Sequence, residues 1–254
     1  MSKDIWNLSI ADTAALIEKG ELSPVTVVEA CLQRVESVGA SLDAFITLTA
    51  DVALEQARQA EAEIAAGMYR GPMHGIPFGL KDIYNTAGIL TSAHSRILID
   101  NLPDKDATTT AKLYEAGAVL LGKLATHEFA HGGPSFDLPW PLARNPWSPD
   151  HATGGSSSGS GAAVAAGLVK GAMGSDTGGS IRNPSCLCGI VGIKPTYGLV
   201  SRAGVIANSY TFDHCGPMTW TVEDCAIMLQ ALAGHDPADP ASADVEIPDY
   251  RAAM

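Results

Sequence analysis

A chain of 254 residues with 46% hydrophobic and 17% charged content can bury a sizeable core, as one large domain or two modest ones. Sixteen Lys and Arg against 28 Asp and Glu leave a net charge of −12, which disfavours nonspecific adhesion to nucleic acid or an anionic membrane and points to a small-molecule substrate. Cys31, Cys186, Cys188, Cys215 and Cys225 are odd in number and scattered, as suits reduced thiols, and with no zinc-ligand spacing and no long apolar run the cytoplasm is the default location.

In chain order, Ser9 is placed to cap a helix over Ile10 to Lys19, with Asp12 at the capping-box position and Gly20 at its end. Ser23-Pro24 opens a second helix, whose apolar positions Val25, Val28, Ala30, Cys31 and Val35 recur at helical spacing up to Gly39. A short strand from Ala44 to Thr49 leads into an alanine- and glutamate-rich helix from Asp51 to Ala66, and residues 1–70 read as a helical region packed on a core at 71–234. Within Gly71 to Asp82 (GPMHGIPFGLKD) a strand-like run ends in Lys81 and is followed by an acid, a pattern that ordinarily marks an exposed strand-end charge. Thr108 to Ala116 reads as a helix and Val119 to Leu124 as a strand, so the elements alternate as in an α/β domain. Pro134 to Asp150, rich in proline and carrying two tryptophans, is a shaped loop.

The stretch Gly154 to Ser180 (GGSSSGSGAAVAAGLVKGAMGSDTGGS) joins a serine-dense turn to very small residues and a second glycine-flanked serine. Such a composition suits a flexible linker, but Ala162 to Val169 is too apolar and helix-prone for one, so the serines sit at the ends of a buried element. Beyond it, Arg182 stands where it can hold a carboxylate, in a structural ion pair or against substrate. Gly189 to Lys194 reads as a strand stopped by Pro195, Thr221 caps a helix running to Ala233, and 235–254 resembles a linker.

The glycines miss both the P-loop ending and the dinucleotide-binding spacing, which leaves nucleophilic catalysis. Gly155 to Gly159 formally matches the GxSxG elbow with Ser157 central, but no strand precedes it. A Ser-His-Asp triad would draw on His127, His131, His151 or His214, none of which stands in a distinctive local pattern.

Taken together, GGSSSGS from Gly154, GSDTGGSIR from Gly174, GIVGIKPT from Gly189 and the upstream GIPFGLKD closely resemble the amidase signature family, over nearly the whole chain from about Leu8 to Pro240. The resemblance implies a mixed β-sheet covered by helices on both faces. It implies a catalytic triad in which Lys81 is the base, Ser156 the bridging serine in a cis peptide and Ser180 the nucleophile. It also implies an oxyanion hole from the backbone N–H groups of Thr177, Gly178, Gly179 and Ser180, with Gly155, Ser157, Asp176 and Arg182 in support. Ser158 departs from the glycine that many members carry. The activity implied is hydrolysis of an amide, or of a related carbamate (urethane) or ester, with no metal or organic cofactor. The alternative is the A-type subunit of a glutamine-dependent tRNA amidotransferase, working with partner subunits. For Lys81 to act as base near neutral pH, burial must pull it down from about 10.4, and Asp82 must point away from it. Family members are roughly twice as long, so this chain is expected to hold the N-terminal half to two-thirds of the fold, to expose an apolar sheet edge, and to pair with itself or with the missing C-terminal portion.

Overall fold

The computed structural model of the protein describes residues 5–254, so the first four residues of the expected N-terminal region lie outside it. Local signals act as anticipated in the first third. Ser9 Oγ accepts the Asp12 N–H at 2.9 Å to start α1 (Ile10–Glu18), and Gly20 takes φ of 71° just beyond its end. Ser23 Oγ accepts the Val25 N–H at 3.0 Å to start α2 (Pro24–Val38), with proline in the first turn, where its missing donor costs nothing. β1 (Phe45–Leu48) and α3 (Ala50–Ala65) follow.

β2 (Pro77–Lys81), α4 (Thr108–Glu115), β3 (Val119–Leu124), α5 (Ser158–Ala165), β4 (Gly171–Asp176), α6 (Arg182–Cys188), β5 (Val191–Gly192), β6 (His214–Thr219) and α7 (Val222–Leu232) complete the chain. The strands form one mixed sheet of order β1-β3-β2-β4-β6-β5, in which β2 runs parallel to both β3 and β4 and the other pairs are antiparallel. Every residue of β2, β3 and β4 is buried, as parallel strands covered on both faces require. Alternation along these strands divides the core in two. Phe78, Leu80, Leu120 and Met173 pack with Ile10 and Ile17 of α1 and Met228 of α7, whereas Val119, Leu121 and Ala172 pack with Val28 of α2, Ala53 of α3 and Ala163 of α5. The expected architecture, a mixed sheet with helices on both faces, is therefore present. Among the described residues no helix is long and apolar enough to cross a membrane.

Close packing explains the small-residue composition. A Cβ on Gly159 would strike the main chain of Ala125 and Ala44, so α5 lies against the end of β3 only because glycine stands there. Gly122 in β3 faces the Thr47 carbonyl and Phe45 ring of β1 in the same way. Gly122→Ala is expected to lower stability by about 1–3 kcal/mol, seen as a lower urea midpoint at unchanged slope; an unaltered midpoint would mean that β1 moves aside freely.

Several elements depart from the sequence reading. β4 and β6 were not anticipated, because GAMGSD and HCGPMT lack alternation: both are interior strands, with Gly171 under Met228 and Ile10 from the helices and Gly174 and Gly216 against Ile181. The strand expected from Gly189 to Lys194 shrinks to Val191–Gly192, since Gly189, at φ of 70°, closes the unanticipated helix α6. The expected linker beyond His235 is pinned at its start. Asp236 accepts from Thr108 at 2.7 Å, and Asp239 takes two guanidinium N–H groups of Arg202 at 3.0 and 2.8 Å, which with its other hydrogen bonds hold its carboxyl down at about 2.

Candidate active site

Because β2 and β4 are parallel neighbours, their C-terminal ends open on one rim, the place where α/β sheets gather polar groups. β2 delivers Lys81 there, β4 delivers Ser175 and Asp176, and the turn into α5 delivers Ser156. Lys81 is fully buried, and its Nζ donates to Ser156 Oγ at 2.7 Å and to Ser175 Oγ at 2.8 Å. Burial strips water from the ammonium and pulls Lys81 down from 10.5 to about 7, against weak upward pulls from Cys215, Asp176 and Asp213. It is not an exposed strand-end charge.

Asp82 turns the other way, as the next residue along an extended chain must. Its Oδ2 accepts from the Ser92 N–H at 2.9 Å, and its Oδ1 lies 3.2 Å from Lys123 Nζ, which also donates to Thr91 Oγ1 at 2.7 Å. The acid next in sequence is thus neutralised elsewhere, and among the described residues Lys81 has no carboxylate partner.

The Gly155–Ser156 peptide bond is cis. The Ser156 carbonyl accepts from the His127 N–H at 3.0 Å, and the Gly155 N–H donates to Asn183 Oδ1 at 3.1 Å. The His127 ring lies where a Cβ on Gly155 would be, so only glycine fits. Ser157 is fully buried and stitches the turn together: its N–H donates to the Ser180 carbonyl at 3.3 Å, and its Oγ accepts the Ser175 N–H at 3.2 Å. These bonds set Ser180, which is partly exposed, beside the Ser156 turn. They also remove the elbow alternative, since Ser157 follows a loop rather than a strand and its hydroxyl is enclosed against the backbone of β4.

Asp176 organises the loop that carries Ser180. Its carboxylate receives the Gly179 N–H at 2.8 Å, the Ile181 N–H at 3.1 Å, and Arg182 through Nε at 3.0 Å and Nη2 at 2.9 Å. Burial alone would raise this carboxyl, but Arg182 and the backbone donors outweigh it and bring it to about 2. Arg182 is therefore the structural ion pair of the two options open from sequence. Gly179, one of the four anticipated oxyanion donors, spends its N–H on Asp176; among the described residues those of Thr177, Gly178 and Ser180 have no acceptor.

No ring nitrogen of the four histidines considered as a base bonds to a serine hydroxyl of this cluster. The ring of His127 meets the Gly132 carbonyl, that of His131 meets Asn208, that of His151 meets Ser148, and that of His214 meets the carbonyls of Asp176 and Phe212. Ser175 is the site residue that sequence reasoning missed; its only signal was its place one residue before Asp176, at the end of a strand that was itself unrecognised. Among the described residues no group of three His, Cys, Asp or Glu is arranged to hold a metal. A cavity of about 920 Å³ opens beside Gly155 and Asn183, walled by the loop from Gly132 to Arg144 and by Leu187.

A family model described as Amidase matches residues 26–254. Among curated relatives, the chain is 46% identical over 251 residues to the A subunit of glutamyl-tRNA(Gln) amidotransferase from Chloroflexus aurantiacus, covering 99% of this chain and 52% of the relative. It is 50% identical over 250 residues to the protein of the same name from Cereibacter sphaeroides, covering 97% and 50%. Among solved structures, native peptide amidase from Stenotrophomonas maltophilia superposes with a TM-score of 0.89 at 42% identity, over 96% of this chain and 52% of that one. An amidase family protein from Bacillus anthracis superposes with a TM-score of 0.91 at 33% identity, over 98% and 52%. The chain spans about half the length of the relatives it matches.

Proposed function

The chain belongs to the amidase family, and from that premise we propose that it cleaves a carboxylic amide, or a related carbamate or ester, through an acyl-enzyme on Ser180. The observation that carries this reading is Lys81: a fully buried amine without a carboxylate partner among the described residues, 2.7 Å from Ser156 Oγ. An amine held near 7 is partly neutral at physiological pH and has a lone pair to offer. In the proposed step the Ser180 hydroxyl attacks the substrate carbonyl carbon, its proton passes to Ser156 Oγ, and the Ser156 proton passes to Lys81 Nζ. The same relay returns a proton to the departing amine, and water then attacks the acyl-enzyme with the roles repeated. Ser175 holds the second side of Lys81 Nζ and so keeps it aimed at Ser156.

The N–H groups of Thr177, Gly178 and Ser180 are the donors we assign to the oxyanion, each worth roughly 3–4 kcal/mol when aimed at developing charge. Gly179 contributes through the loop, by its bond to Asp176. Residues 71–234 carry this machinery, and residues 5–70 add helices α1 to α3 and the edge strand β1 to the same sheet. The substrate is a small amide or carbamate. A fluorophosphonate probe is expected to label Ser180, located by mass spectrometry of the digested protein. Label on Ser157 instead, or on no serine of the 154–180 stretch, would remove the assignment.

The second reading, an A-type component of an amidotransferase that works with partner subunits, is favoured by the names of its curated relatives at 46% and 50% identity. Amide hydrolysis by the protein alone supports the first reading. Turnover only with partner subunits, glutamine and charged tRNA would support the second.

A further inference from the structure

Segment 133–143 walls the cavity beside Gly155, and among the described residues one hydrogen bond ties it to the rest of the chain: the Trp140 carbonyl meets His94 Nε2 at 3.0 Å. The other ring nitrogen of His94, Nδ1, lies 2.7 Å from the Thr126 carbonyl. Both partners are carbonyl oxygens, which only accept, so both bonds exist together only when the imidazole carries a proton on each nitrogen. His94 is fully buried, and the Trp140 indole meets its ring edge-on at 5.8 Å. The backbone is bent to hold it there. Ala93 and His94 take φ of 51° and 58°, a left-handed conformation unusual for two successive non-glycine residues, and the His94 N–H is bonded to Ser92 Oγ at 3.1 Å.

We propose that His94 is a positioning residue that latches the cavity-wall loop through Trp140 in its doubly protonated form and releases it when it loses a proton. In the neutral ring the shorter bond to Thr126 keeps its proton on Nδ1, and Nε2 then faces the Trp140 carbonyl lone pair to lone pair. Because both ring nitrogens face carbonyl oxygens, docking of the loop and uptake of the proton are coupled. The titratable groups on the surrounding elements are Lys81 and Asp82 at the end of β2, Lys123 in β3, His127 and Glu128 beyond it, Arg96 on its own turn, and Asp137 and Arg144 on the loop. Asp82 favours the charge through Ser92, which donates to it and accepts the His94 N–H. His127 is a like charge when protonated and opposes it. With the loop latched, Trp140, Leu138 and Phe136 form a fixed wall for the substrate; released, they do not.

A protonated imidazole against an indole quenches its emission, so Trp140 reports the latch without any catalysis. The emission difference between the wild type and Trp140→Phe is expected to rise as pH is raised from about 5 to about 8, and His94→Gln is expected to abolish that dependence. A pH-independent difference, or a titration that survives in His94→Gln, would overturn the proposal; if that variant does not fold, the comparison of wild type with Trp140→Phe decides alone. The kinetic arm rests on the hydrolase reading. For benzamide, KM of the wild type is expected to rise about fivefold over this range and to stay flat in His94→Gln, the loss of one hydrogen bond. Equal KM profiles in the two proteins would overturn the positioning role. Absence of benzamide hydrolysis would count against the hydrolase reading, and the emission titration would still decide the latch.

Discussion

Lys81→Met is expected to lower kcat/KM for amide hydrolysis by about a thousandfold or more and, at pH 6–7, to make the fold more stable. The loss follows from removing the base hydrogen-bonded to Ser156. The gain follows from linkage. Unfolded, the lysine holds its proton up to about 10.4; folded, Lys81 gives it up near 7 because burial disfavours the charge. Between those values the unfolded chain binds more protons, so stability rises with pH across the window. Below about 7 the buried ammonium costs stability in full, on the order of 4 kcal/mol. Methionine fills a similar volume without charge, while Ser156 and Ser175 lose a donor at a cost of about 1–3 kcal/mol, leaving a net gain of about 1–3 kcal/mol. Urea unfolding at pH 6 and pH 9 tests this, because the advantage of the variant should shrink as pH rises. The same group sets the rate profile: kcat/KM of the wild type is expected to rise with pH through about 7. A methionine variant that still hydrolyses amides, or that is less stable at pH 6, would show that Lys81 is not an uncompensated buried base.

Asp176→Ala is expected to reduce kcat by about a hundred- to a thousandfold and stability by about 2–3 kcal/mol. No substrate atom needs to touch Asp176 for this. Its carboxylate gathers the N–H groups of Gly179 and Ile181 and the Arg182 fork, and so fixes the loop that carries Ser180. Removing it frees that loop and leaves Arg182 without its partner. The acid limb supplies an independent check. With the folded carboxyl at about 2 against an ordinary 3.8, its contribution is complete above about pH 4 and is lost as pH falls through about 2. The stability gap between the wild type and Asp176→Ala should therefore close on acidification. A variant with wild-type kcat would mean that the loop holds its shape without the carboxylate.

Which parts of this protein were legible in its residues follows from the range of each interaction. The caps at Ser9, Ser23 and Thr221 act over two or three residues, and each starts its helix where expected. β3 matches its expected bounds from Val119 to Leu124, because six buried residues in a row carry their own signal. β4 and β6 do not, since glycines and a proline in a strand are informative only once the neighbouring helices are known. The expected linker failed for a related reason: Asp236 and Asp239 read as solvated acids until Ser201, Thr108 and Arg202 arrive from elsewhere in the chain.

The residue types offered for chemistry, Lys81, Ser156 and Ser180, were determined by the sequence, along with the glycines that let the main chain pack beside them. Tertiary structure decided what those groups are. It buried Lys81 and sent Asp82 to Lys123, it placed Ser175 against the amine, and it set His94 between two carbonyls. A proton's affinity for a side chain depends on how much water is excluded and which charges remain near, and both are settled by segments far apart in the chain that meet only on folding.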